Sequence, residues 1–467
     1  MTAMPLDLEV PPAPSDEVHW AAIAKREWAA LRNWALVWVV LANIAFAPMW
    51  FIGAPPRHTE IVIAGIIGLL VRSKPAWLQM VAFAGVMTFS VLGFIAGIFN
   101  LSLMSLLSSL QFLMEIKPAQ SLEYIAGAGL ILCVFVGAWF AIRRPSNFTN
   151  WRMTLIAAAA TLSVALLDLW MGQGMRGHYQ QAPAAGAPFE SAMLASGAER
   201  NAIAGNRNLV IIIVESMGVP VSNKEMQGLL FKGLDTPAME KRFASSRGTS
   251  LYYHSTTAAE VRELCGRWGD YHEILEAGGD SSCLPARMKK SGYQTHAMHS
   301  FEGFFFDRED WYPGLGFDTQ RFSKDLQAAG AEFCGGVFAG ACDRDIPAQL
   351  AQQLKSQTGP QLVYWLTLNS HLPVPEGGNL ELEQCTEFSP ELADEFPMIC
   401  RQFMLWSQLE TALVKEITAA DLPPTDFLLV GDHMPPYFQR THRRQFAPDR
   451  VPYLYLQWRD DATEQAQ

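Results

Sequence analysis

Asn208-Leu-Val-Ile-Ile-Ile-Val-Glu215-Ser-Met-Gly218 reads as an almost unbroken apolar strand that ends on a carboxylate and then turns. A run this apolar suits a parallel strand covered on both faces, and the rim beyond the carboxyl ends of such strands is where open α/β sheets place their ligands. Some two hundred residues later Asp426-Phe-Leu-Leu-Val-Gly-Asp432-His433 repeats the arrangement, ending a second apolar strand on a carboxylate and an imidazole. Glu215, Asp432 and His433 are therefore candidate ligands of one divalent cation. Strands expected at 208–214, 294–298, 361–368 and 425–430 alternate with helices expected at 237–245, 258–266, 284–291, 345–355 and 396–418. That alternation predicts a mostly parallel sheet with helices on both faces.

The first third of the chain is too apolar for a soluble domain. Apolar stretches at 34–53, 60–71, 76–99, 122–142 and 153–171 read as five membrane spans, the second of them short. Lys25, Arg26 and Arg32 precede the first stretch, Arg72 and Lys74 follow the second, and Arg143, Arg144 and Arg152 bracket the connection between the last two. The intervening loops are poor in Lys and Arg, so the positive-inside rule puts the N-terminus in the cytoplasm and, after an odd number of spans, the C-terminal part outside. The polar stretch before the first span marks that span as an uncleaved anchor. Residues 100–116 read either as an interfacial helix or as a loop packed on the other helices. The expected organisation is a cytoplasmic segment at 1–33, a transmembrane domain at 34–171, an Ala-, Gly- and Gln-rich linker at 172–206 and an extracytoplasmic catalytic domain at 207–467.

Cysteine usage agrees with export. Of seven cysteines, Cys133 lies in the fourth span, and Cys265, Cys283, Cys334, Cys342, Cys385 and Cys400 all lie in the C-terminal domain. An even number in an oxidising compartment points to disulfides, and pairing of sequence neighbours closes three short loops. The formal net charge of −11 argues against nucleic acid as a partner.

A nucleophile is expected between the two ligand-bearing strands. Tyr252-Tyr-His-Ser-Thr256-Thr257-Ala-Ala-Glu260 reads as a loop entering a helix, where free N–H groups favour an arriving anion. Either Thr256 or Thr257 is placed to attack phosphorus if a metal ion activates its hydroxyl, and either also serves as an ordinary N-cap.

Taken in chain order, Val-Glu215-Ser-x-Gly, Thr256 with Glu260 four residues on, Ser370-His371-x-Pro373 and Gly431-Asp432-His433 resemble the membrane-anchored phospho-headgroup transferases of the alkaline phosphatase/sulfatase superfamily, a group that includes lipoteichoic acid synthases and lipid A phosphoethanolamine transferases. The resemblance implies an N-terminal helical transmembrane bundle and a C-terminal sulfatase/alkaline phosphatase-like α/β domain. It implies Glu215, Thr256, Asp432 and His433 as metal ligands, Thr256 as the nucleophile with Thr257 as runner-up, and one Zn²⁺ or Mn²⁺ as cofactor. It also implies that His299, Phe306, Arg308 and His371 contact substrate; the position matched by Phe306 is Trp in the synthases. The implied reaction moves phosphoethanolamine or phosphoglycerol from a phospholipid donor to an envelope lipid or glycan, at a bacterial inner membrane with the catalytic domain in the periplasm. The rival within the superfamily is a sulfatase or phosphodiester hydrolase, since Cys283-Leu-Pro-Ala-Arg287 fits the Cys-x-Pro-x-Arg pattern of sulfatases that oxidise their cysteine to formylglycine. The rival requires a free Cys283 and a nucleophile unusually far from Glu215.

Overall fold

The computed structural model describes residues 16–52, 55–98, 103, 106–107, 122–171, 183, 186–437 and 439–460. The expectation for 100–116 falls almost wholly outside these residues. The chain divides into two compact units, the first including Pro56–Gly93 and Gly127–Met171 and the second including Gly172–Gln467.

Among the described residues three helices are long and apolar enough to cross a bilayer, Ala76–Gly97, Tyr124–Ala141 and Trp151–Met171. Large apolar side chains such as Val81, Leu132, Phe140, Leu155 and Leu166 are more than half exposed along them, as lipid-facing positions would be. The expectation of five spans is corrected at the first two. Residues 34–53 do not form one helix, because the chain passes through a π-helical stretch at Leu36–Leu41 and restarts at Ala47–Ile52, where Pro48 has no N–H to continue the ladder. The second stretch lies in the 14-residue helix His58–Val71, which rises about 21 Å, short of the roughly 30 Å of a hydrocarbon core. That helix packs through small residues: a Cβ on Gly65 would fall 2.4 Å from Thr161, and one on Gly68 would fall 2.4 Å from Trp38.

The second unit is an α/β domain. In chain order its strands are β1 (Asn208–Val214), β2 (Phe243–Leu251), β3 (Gln294–His299), β4 (Thr319–Arg321), β5 (Phe333–Cys334), β6 (Gly340–Ala341), β7 (Gln361–Leu366), β8 (Thr425–Gly431) and β9 (Arg450–Trp458). Seven of them form one sheet in the order β2-β9-β8-β1-β7-β3-β4, and β5 and β6 form a small ribbon. The five strands from β8 to β4 are parallel, whereas β9 and β2 extend the sheet in antiparallel pairings. Every residue of β1, β7 and β8 is buried, which is what helices on both faces require of apolar parallel strands. β1 and β8 pair with Ile213 opposite Val430 and Val214 opposite Gly431, so Glu215 and Asp432 leave the sheet side by side.

The four expected strands and four of the five expected helices are present within a residue or two. The helix expected at 237–245 stops at Arg242, and Phe243 begins β2. Residues expected in the linker form the helices Ala192–Ser196 and Ala198–Gly205, whose Ala192, Met193, Ala198 and Ala202 are buried in the core of this unit. Disulfides join Cys265 to Cys283, Cys334 to Cys342 and Cys385 to Cys400, as neighbour pairing expects.

Candidate active site

Two adjacent strand ends and one helix start build the site. Glu215 follows β1, Asp432 and His433 follow β8, and Thr256 is the first residue of the helix Thr256–Cys265. The turns are tight. A Cβ on Gly431 would meet the Met217 carbonyl oxygen at 2.0 Å, so only glycine lets the two post-strand turns lie against each other. Ser216 takes a left-handed conformation (φ 54°). Its amide donates to Asp432 Oδ1 at 2.7 Å and its hydroxyl to Glu215 Oε1 at 3.0 Å, which orients both carboxylates. The Glu215 main chain is held in turn by Thr367 and Ser370, whose hydroxyls accept from its N–H and donate to its carbonyl.

The outward oxygens converge on Thr256. Its Oγ1 lies 3.0 Å from Asp432 Oδ2, 3.3 Å from Glu215 Oε2 and 3.3 Å from His433 Nε2. His433 Nε2 is 3.2 Å from Asp432 Oδ2 and 3.5 Å from Glu215 Oε1. One ligand atom from each of Glu215, Asp432 and His433 fits within 4.8 Å of the others. Both carboxylates are buried, and no Lys or Arg pairs with either carboxylate group among the described residues. Burial, reinforced by the neighbouring Asp432 charge, holds the Glu215 carboxyl well above the usual carboxylate range. Two carboxylates, an imidazole and a hydroxyl directed at one point, without a resident cation from the chain, fit a divalent metal ion.

Thr257 faces elsewhere. It is 1% exposed and donates to Asp270 Oδ1 at 2.9 Å, so of the two candidate hydroxyls only that of Thr256 meets the ligand cluster. His299 is buried at the end of β3 with Nδ1 3.1 Å from the Leu366 carbonyl, and His371 directs Nδ1 to its neighbour's carbonyl at 2.8 Å. A carbonyl partner fixes the proton on Nδ1 and leaves Nε2 the acceptor in each neutral ring. Burial lowers the His371 imidazole to about 3 and pushes His299 well below the usual range, the latter helped by the Arg308 charge. Phe306 sits in the left-handed region (φ 57°) on the loop after β3, with the Arg308 guanidinium 5.6 Å from its ring.

Arg308 has protein partners that its sequence surroundings do not suggest. Its Nε and Nη2 donate to Glu260 Oε2 at 3.1 and 3.0 Å, and its Nη1 donates to the Phe305 carbonyl at 2.9 Å. Glu260, 0% exposed, also accepts from the hydroxyls of Tyr312 and Tyr364. The pair ties the helix that begins with Thr256 to the loop that carries Phe306. Sequence reasoning also missed Ser216 and Arg262, whose guanidinium donates to the carbonyls of Gly431 and Asp432 at 2.9 and 3.2 Å and so fixes the β8 turn. Cys283 is fully buried in its disulfide, so no thiol is available there for oxidation to formylglycine.

Among solved structures, the domain is similar to the lipoteichoic acid synthase LtaP from Listeria monocytogenes, at 18% identity and a TM-score of 0.38 over 54% of this chain and 65% of that one. It is similar to the phosphoglycerol transferase GacH of Streptococcus pyogenes in complex with sn-glycerol-1-phosphate, at 17% identity and a TM-score of 0.37 over 56% of this chain and 72% of that one. A third, the integral membrane phosphoethanolamine transferase EptA from Neisseria meningitidis, aligns over 95% of this chain and 89% of its own, at 12% identity and a TM-score of 0.43. The chain thus spans just under two thirds of the first of these structures. No curated protein matches the sequence. The Sulfatase family model matches residues 207–459, more than half of the 467-residue chain, and the chain therefore belongs to the sulfatase family.

Proposed function

We propose that this protein is a phosphotransferase of that family, moving a phospholipid headgroup, phosphoethanolamine or phosphoglycerol, through a phospho-threonine at Thr256 to an envelope lipid or glycan. The observation that carries the reading is the Thr256 hydroxyl within 3.3 Å of both carboxylates and the imidazole. Glu215, Thr256, Asp432 and His433 would hold one divalent ion, Zn²⁺ or Mn²⁺ by donor type, which would lower the pKa of the Thr256 hydroxyl and offset charge growing on the phosphoryl oxygens. Thr256 Oγ1 forms a bond to phosphorus as the bond to the diacylglycerol oxygen breaks, and diacylglycerol leaves carrying the proton that Thr256 gives up. An acceptor hydroxyl or phosphate then displaces Thr256 in the reverse sense. His299 and His371 face the headgroup with Nε2 and Phe306 lines it. An arriving phosphate supplies the negative charge that opposes the cost of protonating either imidazole, after which each donates to it. Arg308 orients the nucleophile's helix through Glu260 and adds positive potential at the phosphate.

The helical N-terminal unit tethers the catalytic domain where a lipid donor is found. An odd number of spans from a cytoplasmic N-terminus, three by the helices long and apolar enough to cross, would put that domain outside the cytoplasm of a bacterial inner membrane, and the three disulfides agree with a periplasm. The catalytic domain proposed is 207–467, with the buried helices Ala192–Ser196 and Ala198–Gly205 packed into its core. Incubation with phospholipid labelled in its headgroup, followed by peptide mapping, tests the reading. A phospho-adduct on Thr256, and loss of turnover in Thr256→Ala with the fold retained, are the expected results. An adduct on Thr257 instead, or full turnover in Thr256→Ala, would remove Thr256 from the reaction.

A further inference from the structure

The helical unit holds a buried cation whose donors are not used. Arg57 immediately precedes the helix His58–Val71 and is 4% exposed. Its guanidinium carbon lies 3.4 Å from the centroid of the Phe46 ring, while its Nε and Nη2, both buried, have no hydrogen-bond partner among the described residues. The nearby carboxylate of Asp168, 2% exposed in the last turn of Trp151–Met171, is already engaged by two other donors. Its Oδ1 accepts from Trp50 Nε1 at 2.7 Å, and its Oδ2 from the Arg57 main-chain N–H at 2.6 Å. The buried His58 Nδ1 likewise has no partner, and the helix begins with no side-chain cap, so its first-turn amides are open to an outside acceptor as well.

A planar cation stripped of water without an acceptor is costly, and one that also sits at an uncapped helix start presents several N–H groups to an anion. The set suits phosphate, which takes two parallel N–H bonds from a guanidinium. The local charge narrows the choice. Glu60 lies in the first turn of the same helix, and its Oε1 occupies the space that a Cβ on Gly93 would need, 2.7 Å away. With Asp168 there are two carboxylates beside one guanidinium. A net-anionic headgroup would add to that excess, whereas one carrying its own ammonium offsets its phosphate and gives Glu60 a counter-charge.

We infer that Arg57, the start of His58–Val71 and Glu60 form a binding site for a zwitterionic phospholipid headgroup, with phosphate on Arg57 and ammonium toward Glu60. The inference rests on the transferase reading only in taking this lipid as the donor; binding itself needs no turnover. Asp168 and Arg57 lie at the end of the helical unit where its last helix finishes, the end that the charge pattern puts outside the cytoplasm.

The test uses the full chain extracted from vesicles of equal parts phosphatidylethanolamine and phosphatidylglycerol, with retained lipid read by native mass spectrometry. Wild type and Thr256→Ala should both retain phosphatidylethanolamine over phosphatidylglycerol, and Arg57→Gln should lower that retention by about tenfold. Glu60→Gln should reduce the preference between the two lipids while keeping the phosphate contact. Arg57→Lys, which keeps the charge but not the planar fork, should fall between the extremes and decides the matter if Arg57→Gln does not fold. Retention in the Arg57 variants equal to wild type, equal retention of the two lipids by wild type, or displacement of lipid by millimolar inorganic phosphate would each overturn the inference. Retention as described in a protein that transfers nothing would uphold this site and overturn the proposed reaction instead.

Discussion

Glu260→Gln tests most directly how the helix that begins with Thr256 is held. One carboxylate takes four donors: two from Arg308 at 3.0 and 3.1 Å, the Tyr364 hydroxyl at 2.8 Å and the Tyr312 hydroxyl. Both charged partners are almost fully buried, Arg308 at 2% and Glu260 at 0% exposure. The amide keeps the shape but offers one acceptor oxygen in place of two and turns an NH₂ toward groups that are themselves donors. It also leaves the Arg308 cation buried without its counter-charge. Breaking such a pair by altering one partner costs about 3–5 kcal/mol, which for a domain of this size lowers the unfolding temperature by roughly 6–20 °C. Because Thr256 lies one helical turn before Glu260, the displaced helix start should also lower kcat by about tenfold or more, with metal content unchanged. Thermal unfolding of the full chain, repeated for Arg308→Met and for the double variant, completes the cycle. The double variant should be less destabilised than the sum of the singles by at least about 2 kcal/mol. A cost under about 1 kcal/mol for Glu260→Gln, or strictly additive singles, would show that the pair does not hold this helix.

Asp432→Asn keeps the contour of the site but withdraws one of two negative oxygens facing Thr256, so metal affinity should fall by at least about tenfold; wild-type metal content by elemental analysis, together with full turnover after exhaustive chelation, would exclude a metal centre here. Glu410, buried beneath the Gly233 amide that donates to it at 2.8 Å, is pushed up to about 8 by burial. The raised carboxyl binds its proton more tightly folded than unfolded, so its contribution is fully present below about pH 4.5 and is lost as pH rises through about 8. Stability should therefore decline across that window by up to about 1.4 kcal/mol per pH unit from this group, and Glu410→Gln should remove that slope and be the more stable form at pH 9. A slope unchanged in Glu410→Gln would contradict the assignment.

What could be read before the structure follows from how locally each feature is specified. β1 and β8 are buried along their whole length, so burial alone makes them continuous apolar runs, and a carboxylate at the end of each marks the rim. β2 and β9 lie at the antiparallel side of the sheet, where β2 exposes Ala244 to Arg247 and β9 accommodates Pro452 opposite Thr249. β2 carries no apolar run and directly follows the helix Pro237–Arg242, whereas Pro452 interrupts the apolar run Val451 to Leu456 of β9. Hydropathy found the apolar stretch at 34–53 but not its division, because a missing N–H at Pro48 changes the helix without changing its polarity. Arg308 marks the deeper limit. It stands in Asp307-Arg308-Glu309-Asp310, where local charge suggests an exposed partner, yet its carboxylate comes from Glu260, 48 positions earlier. Sequence spacing identified Glu260 only as a marker for Thr256. Its use as the acceptor that fastens the helix beginning with Thr256 to the loop carrying Phe306 depends on Tyr312, Tyr364 and Arg308 being packed around it, and that neighbourhood exists only once β1, β3 and β7 have been brought into register.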